Sequence, residues 1–181
     1  MVSHRAHKRY IKFLQTSTVI IVLPSHFYYC IRVSFLFGRN FAEPQIQMLI
    51  KESVAVREFS YSPYSKFKVG SALLCTDGTV SRGCNVENAS YPVGVCAERS
   101  AIAKAISEGK RKFQALTVAA DLADGGFVAP CGMCRQAIAE FGDIPVYLTR
   151  SDMKKVLQTR VSELLPLSFS LLVACCMRRS T

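Results

Sequence analysis

The stretch Ile144-Pro-Val-Tyr-Leu-Thr149, Arg150-Ser-Asp-Met153, Lys154-Lys-Val-Leu-Gln-Thr-Arg160 decides how the sheet of this chain must end. Two extended segments, Ile144 to Thr149 and the weaker Lys154 to Arg160, are separated by only four residues. Parallel neighbours need a crossover of roughly a dozen residues, usually a helix. Four residues cannot supply it, so these segments, if they pair, form an antiparallel hairpin.

Upstream, the pattern alternates. Pro130 opens a helix that Gly142 closes, and Gln114 to Ala120 is an apolar strand. Val95 to Glu108 reads as a helix closed by Gly109. Lys68 to Cys75 is strand-like, and Asp77-Gly78 turns it into a second strand, Val80 to Cys84. Tyr61-Ser-Pro63-Tyr64-Ser is a loop. Pro44 suits a first helical turn, with Ile46, Leu49, Ile50, Ser53 and Val54 at helical spacing behind it. Ser162 to Leu165 is a short helical turn. The layout predicts an α/β fold: a three-layer α/β/α sandwich around one mixed five-stranded sheet, its last two strands antiparallel.

With 181 residues the chain suits one domain with a real core. Half its residues are apolar and a fifth are charged, which excludes disordered, collagenous and coiled-coil classes. The formal net charge of +10 is uneven. Residues 1–42 carry six bases (Arg5, Lys8, Arg9, Lys12, Arg32, Arg39) and no acid, leaving +4 for the remainder. The apolar run Val19 to Leu23 stops at Pro24 and is too short to span a bilayer, which takes roughly 20 apolar residues. Residues 1–43 are therefore expected to be a poorly ordered extension, residues 44–170 the folded domain and 171–181 an atypical tail. The expected compartment is the cytoplasm, with organelle import through the basic leader as the alternative.

The chemistry lies in Cys96-Ala97-Glu98 and Pro130-Cys131-Gly132-Met133-Cys134. Each cysteine group falls at the start of an expected helix, where free N–H groups and partial positive charge favour the thiolate. The three histidines, His4, His7 and His26, all lie in the basic leader, so a metal site in the domain is built without imidazole. Three thiolates on one Zn²⁺ leave the fourth tetrahedral position open, which marks catalytic zinc. Glu98, two residues past a ligand, is placed to shuttle protons of a water there. Structural zinc would need a fourth ligand, for which Cys75 or Cys84 are candidates. A C-x-x-C redox pair is a third reading, but it leaves Cys96 unexplained.

C-x-E followed by P-C-x-x-C is a zinc-deaminase signature with Cys in place of His. The run Cys84-Asn-Val-Glu-Asn-Ala-Ser-Tyr-Pro-Val-Gly-Val-Cys-Ala-Glu-Arg99 resembles the cytidine deaminases that act on free nucleosides. So do Tyr61-Ser-Pro-Tyr-Ser-Lys-Phe-Lys-Val-Gly70 and Leu164-Leu-Pro-Leu-Ser-Phe169. The likeness covers Pro44 to Phe169, with the motifs in order. It implies hydrolysis of cytidine and deoxycytidine to uridine and deoxyuridine with release of ammonia, a step of pyrimidine salvage. It implies Cys96, Cys131 and Cys134 as ligands of one Zn²⁺ per chain and Glu98 as proton shuttle. It implies Asn85 and Glu87 at the ribose 3′-hydroxyl, Phe67 stacked on the pyrimidine and the Ala97 N–H directed at the base. Arg99 would offset the charge of three thiolates. It further implies a homotetramer in which Phe169 reaches a neighbour's site.

Two competing readings remain at this point. One is a polynucleotide deaminase using the basic leader; the other is a non-catalytic zinc or redox protein on the same fold. The short Thr149-to-Lys154 connection argues against nucleic acid, because polynucleotide deaminases resemble one another in carrying a helix there. Glu98 argues against a purely structural metal. The expected partner is thus a small nucleoside, with no nucleic acid and no membrane. Cys30, Cys75, Cys84, Cys175 and Cys176 receive no role beyond free thiols.

Overall fold

A computed structural model describes residues 43–170. The expected leader up to residue 42, the tail 171–181, and with them Cys30, Cys175 and Cys176, lie outside the described residues.

Helix α1 (Pro44–Arg57) carries its proline in the first turn and buries Ile46, Leu49, Ile50 and Ser53. Strands β1 (Val69–Cys75) and β2 (Val80–Cys84) form the expected hairpin. Then come α2 (Ala97–Ser107), β3 (Phe113–Ala120), α3 (Gly132–Ala139), β4 (Pro145–Thr149), β5 (Val156–Arg160) and the short α4 (Val161–Leu164). The five strands form one sheet in the order β2-β1-β3-β4-β5. Only β3 and β4 pair in parallel. The terminal hairpin is antiparallel, Pro145 facing Arg160 and Thr149 facing Val156. Its turn needs a left-handed residue, Met153 at φ 52°, and the Lys154 N–H donates to Asp152 Oδ1 at 3.1 Å. That turn explains why β5 begins at Val156 rather than Lys154.

Alternation along the strands divides the core into two layers. Ala72, Leu74, Ala115 and Tyr147 pack with Ile46, Leu49 and Ile50 of α1. Leu73, Leu116, Val118, Val146 and Leu148 point the other way, onto Ala101, Ile102 and Ala105 of α2 and Ile138 of α3. Each fully buried Leu or Ile contributes roughly 1.5–3 kcal/mol by leaving water. Neighbouring positions of one strand thus serve opposite helices, which is the expected three-layer sandwich.

Two glycines set how closely the layers approach. A Cβ on Gly83 would stand 2.3 Å from Ala101 N and 2.5 Å from Ala97 O. One on Gly70 would stand 2.1 Å from Ser53 O. Both strands therefore lie against helix backbone, and α2 is held flat on the sheet next to its own N-terminus. No helix among the described residues is long and apolar enough to cross a membrane.

Candidate active site

Helices α2 and α3 begin at one end of the sheet, and each is capped by a cysteine. Cys96 (φ −74°, ψ 154°) and Cys131 (φ −66°, ψ 169°) are extended N-cap residues, so the helices start one residue after each. This shortens both expected helices. Val95 is held outside α2 by its bridge to Val86, and Pro130 precedes the cap of α3 instead of opening its first turn. The first N–H groups of a helix have no intrahelical acceptor and point outward with positive partial charge. Two such ends here surround one group of sulfurs.

The Sγ atoms of Cys96, Cys131 and Cys134 lie within 4.8 Å of one another, and those of Cys96 and Cys131 are 3.8 Å apart. Tetrahedral zinc with sulfur bonds of ~2.3 Å has ligand-to-ligand edges of ~3.8 Å. The donor set suits one zinc ion. Cys75, buried under the core, and Cys84, whose thiol donates to Phe59 O at 3.5 Å, stand outside the cluster. A four-thiolate site is therefore not formed by the described residues, and one tetrahedral position is left for a non-protein ligand.

Electrostatics agree with a metal-ready cluster. The hydrogen bond from Cys134 holds the Cys96 thiol well below its ordinary range despite burial, with Cys131 and the Arg99 guanidinium adding to the effect. The same bond, together with burial, pushes Cys134 upward. The shared bond thus favours the thiolate at Cys96 and the proton at Cys134, a proton that metal binding would displace. Arg99 donates from Nη2 to Gly94 O at 3.1 Å, while its Nε is buried with no acceptor. An unpaired buried guanidinium N–H is costly unless negative charge stands nearby. Cys96, whose thiol the guanidinium favours in its charged form, stands nearby to provide it.

Glu98 is buried, at 4 % exposure, in the first turn of α2. Burial pushes its carboxyl up, and the Cys96 thiolate raises it further. A buried carboxyl that holds its proton more tightly than usual is suited to taking and returning protons.

Cys96, Cys131 and the Glu98 carboxyl border one cavity of about 660 Å³, lined also by Phe67, Asn85, Glu87, Ala97 and Arg99. The volume is that of a small-molecule site. Asn85 is engaged on three sides: Oδ1 accepts from Ser60 Oγ at 2.5 Å and from Val69 N at 2.8 Å, and Nδ2 donates to Phe67 O at 2.8 Å. One Nδ2 hydrogen remains uncommitted by these bonds. Glu87 accepts from the Tyr64 and Ser65 N–H groups at 2.9 and 3.2 Å and from the Ser65 hydroxyl. Ala97 is fully buried at the first position of α2.

Two expected site residues are not among those lining the cavity: Cys134, fully buried behind it, and Phe169, which is 68 % exposed and whose carbonyl accepts from Gln136 Nε2 at 2.9 Å. The sequence reading gave no part to Arg135 and Gln136, directly after the last cysteine. Arg135 donates from Nε to Pro130 O at 2.7 Å and from Nη1 to Leu164 O at 2.8 Å, tying the cysteine loop to the C-terminal segment. The signal was present: a cation one residue after the last cysteine of the cluster.

A family model described as the cytidine and deoxycytidylate deaminase zinc-binding region matches residues 44–149. A cytidine deaminase of Sporosarcina psychrophila is 53 % identical over 129 residues, covering 69 % of this chain and 91 % of that protein. The 1.6 Å crystal structure of cytidine deaminase from Burkholderia pseudomallei matches with a TM-score of 0.64 at 45 % identity, over 68 % of this chain and 98 % of that one. The cytidine deaminase structure from Mycobacterium tuberculosis matches with a TM-score of 0.57 at 35 % identity, over 69 % and 97 % of the two chains. The chain therefore belongs to the cytidine and deoxycytidylate deaminase family of zinc-binding hydrolases.

Proposed function

We propose that this chain deaminates the free nucleosides cytidine and deoxycytidine, adding water and releasing ammonia to give uridine and deoxyuridine for pyrimidine salvage. The observation that carries the reading is the buried Glu98 carboxyl lining one cavity with Cys96 and Cys131, whose sulfurs cluster with that of Cys134. Cys96, Cys131 and Cys134 would hold the zinc, which would supply the Lewis acidity that makes water a nucleophile near neutral pH.

The residues of the chain divide the remaining work. Glu98 accepts one proton of the water and delivers it to ring nitrogen, then takes the second from the hydroxyl added at C4 and passes it to the amino group, which leaves as ammonia. Arg99 offsets the negative charge of the sulfurs. Phe67 packs on the pyrimidine face, and Ala97 offers its N–H to the base. Asn85 has its carbonyl oxygen filled and one amide hydrogen free, so it donates to the sugar 3′-oxygen. Glu87, an acceptor only, receives the proton of the same hydroxyl. A 3′-phosphodiester has no such proton and would bring its charge against Glu87.

The working unit in this proposal is residues 44–170, assembled as a cytoplasmic homotetramer in which Phe169 contacts a neighbour's cavity. A chain starting at Phe41 should keep its zinc and its turnover.

The test is ammonia release by the zinc-loaded protein. Cytidine and deoxycytidine are expected to react and single-stranded oligonucleotides to be inert. Conversion of an internal cytosine in an oligonucleotide would overturn the nucleoside reading.

A further inference from the structure

The Glu87 carboxylate has about four acceptor positions, two on each oxygen. The Tyr64 and Ser65 N–H groups fill both on Oε2, at 2.9 and 3.2 Å. The Ser65 hydroxyl donates to Oε1 and leaves one position there. The same Ser65 oxygen accepts the Phe67 N–H at 3.0 Å. Its proton is thus committed to Glu87 and a lone pair to Phe67. From the other side Asn85 Nδ2 donates to Phe67 O at 2.8 Å, so both backbone polar groups of Phe67 are tied to this frame.

We propose that Ser65 is a positioning residue that couples sugar recognition to base recognition, an inference that rests on the nucleoside reading above. Its hydroxyl aims the one vacant acceptor of Glu87 into the cavity and fixes the backbone that carries Phe67. The Tyr64 and Ser65 N–H groups hold Oε2 alone, and a carboxylate anchored at one oxygen is free to turn the other. The Glu87 carboxyl is held below its ordinary value, with the Ser65 hydroxyl as the leading cause.

Ser65→Ala keeps both backbone bonds and removes the hydroxyl. A hydrogen bond to a charged group sustains about tenfold in affinity or more. For cytidine, S65A is expected to raise KM about tenfold while kcat changes much less. For 3′-deoxycytidine, which lacks the hydroxyl that Glu87 receives, the rise in KM should be clearly smaller. Calorimetric titration with the products should repeat the contrast, S65A weakening uridine more than 3′-deoxyuridine. Ser65→Thr, which restores a hydroxyl, should recover most of both losses. Melting temperatures report whether the variants fold, and Ser65→Cys, of similar size, answers the same question if S65A melts early. Equal losses on the 3′-hydroxylated and 3′-deoxy compounds, or no loss on either, would overturn the role of Ser65. No cytidine turnover by the unsubstituted zinc-loaded chain would overturn the nucleoside reading, and this inference with it.

Discussion

Cys96 Sγ lies 3.8 Å from Cys131 Sγ although 35 positions separate them in sequence. Strand β3 lies between the two in the chain, and the helices before and after it pack on the same face of the sheet. A cysteine that caps each helix therefore meets its counterpart without any long loop reaching across the molecule.

The first expected outcome concerns the metal. The purified chain should carry one zinc, bound on the protein side by Cys96, Cys131 and Cys134 only. X-ray absorption should show three sulfurs and one lighter ligand. A fourth sulfur or an imidazole in the spectrum would contradict this assignment. Chelation should abolish turnover, and added zinc should restore it.

Glu98→Gln preserves size and removes the proton-carrying oxygen. Zinc content should be unchanged, while kcat falls at least about 100-fold, the low end for general acid–base catalysis. The check is a metal assay alongside steady-state kinetics. Near-normal turnover in the variant would assign proton transfer elsewhere.

The acid limb of stability should depend on Asp121. Burial pushes its carboxyl up, but the Ser151 N–H at 3.0 Å and the charges of Arg57 and Arg150 outweigh that and hold it below its ordinary value. A carboxyl lowered on folding contributes stability that is complete above its unfolded pKa of about 3.9 and is lost as pH falls through the lower folded value. Asp121→Asn keeps an acceptor for Ser151 and removes the charge facing Arg57, 2.8 Å away. The variant should be less stable than the parent at pH 7, and the gap should close as pH falls below about 4. Urea unfolding at a series of pH values measures it. A gap that stays constant from pH 7 to 2 would show that the charge is not the cause.

Assembly is testable through Phe169, which is 68 % exposed beside Leu167, itself fully exposed. Light scattering should find four chains per particle, and Phe169→Ala should weaken nucleoside binding without removing zinc. A stable monomer with full turnover would refute both.

The antiparallel terminal hairpin was legible because chain length alone forbade the alternative: Arg150 to Met153 cannot cross over. The cysteine cluster was legible because caps, spacing and the missing histidines converge on one chemistry. Strand order was not, since nothing local says that β1 sits between β2 and β3. The second engagement of Asn85 was hidden for the same reason. Its partners Ser60, Phe67 and Val69 are 16 to 25 residues away, and only the fold brings them within hydrogen-bond range. Gly83 likewise reads as an ordinary strand residue until α2 is laid over it.

That packing limits how this sequence can drift. Gly83 faces Ala97 and Ala101, and Ala97, Ala101 and Ala105 are each fully buried along one side of α2. Glu98 projects from the same helix, one residue past Ala97. Any lineage that enlarges Gly83 must lift the helix, and with it the Glu98 carboxyl beside the cysteine cluster. Paired replacements elsewhere in the core can exchange volume between neighbours, as cores commonly allow. Here the neighbour is helix backbone, which has no volume to give up. Gly83 is closed to compensation, and neutral variation should accumulate around it but not at it.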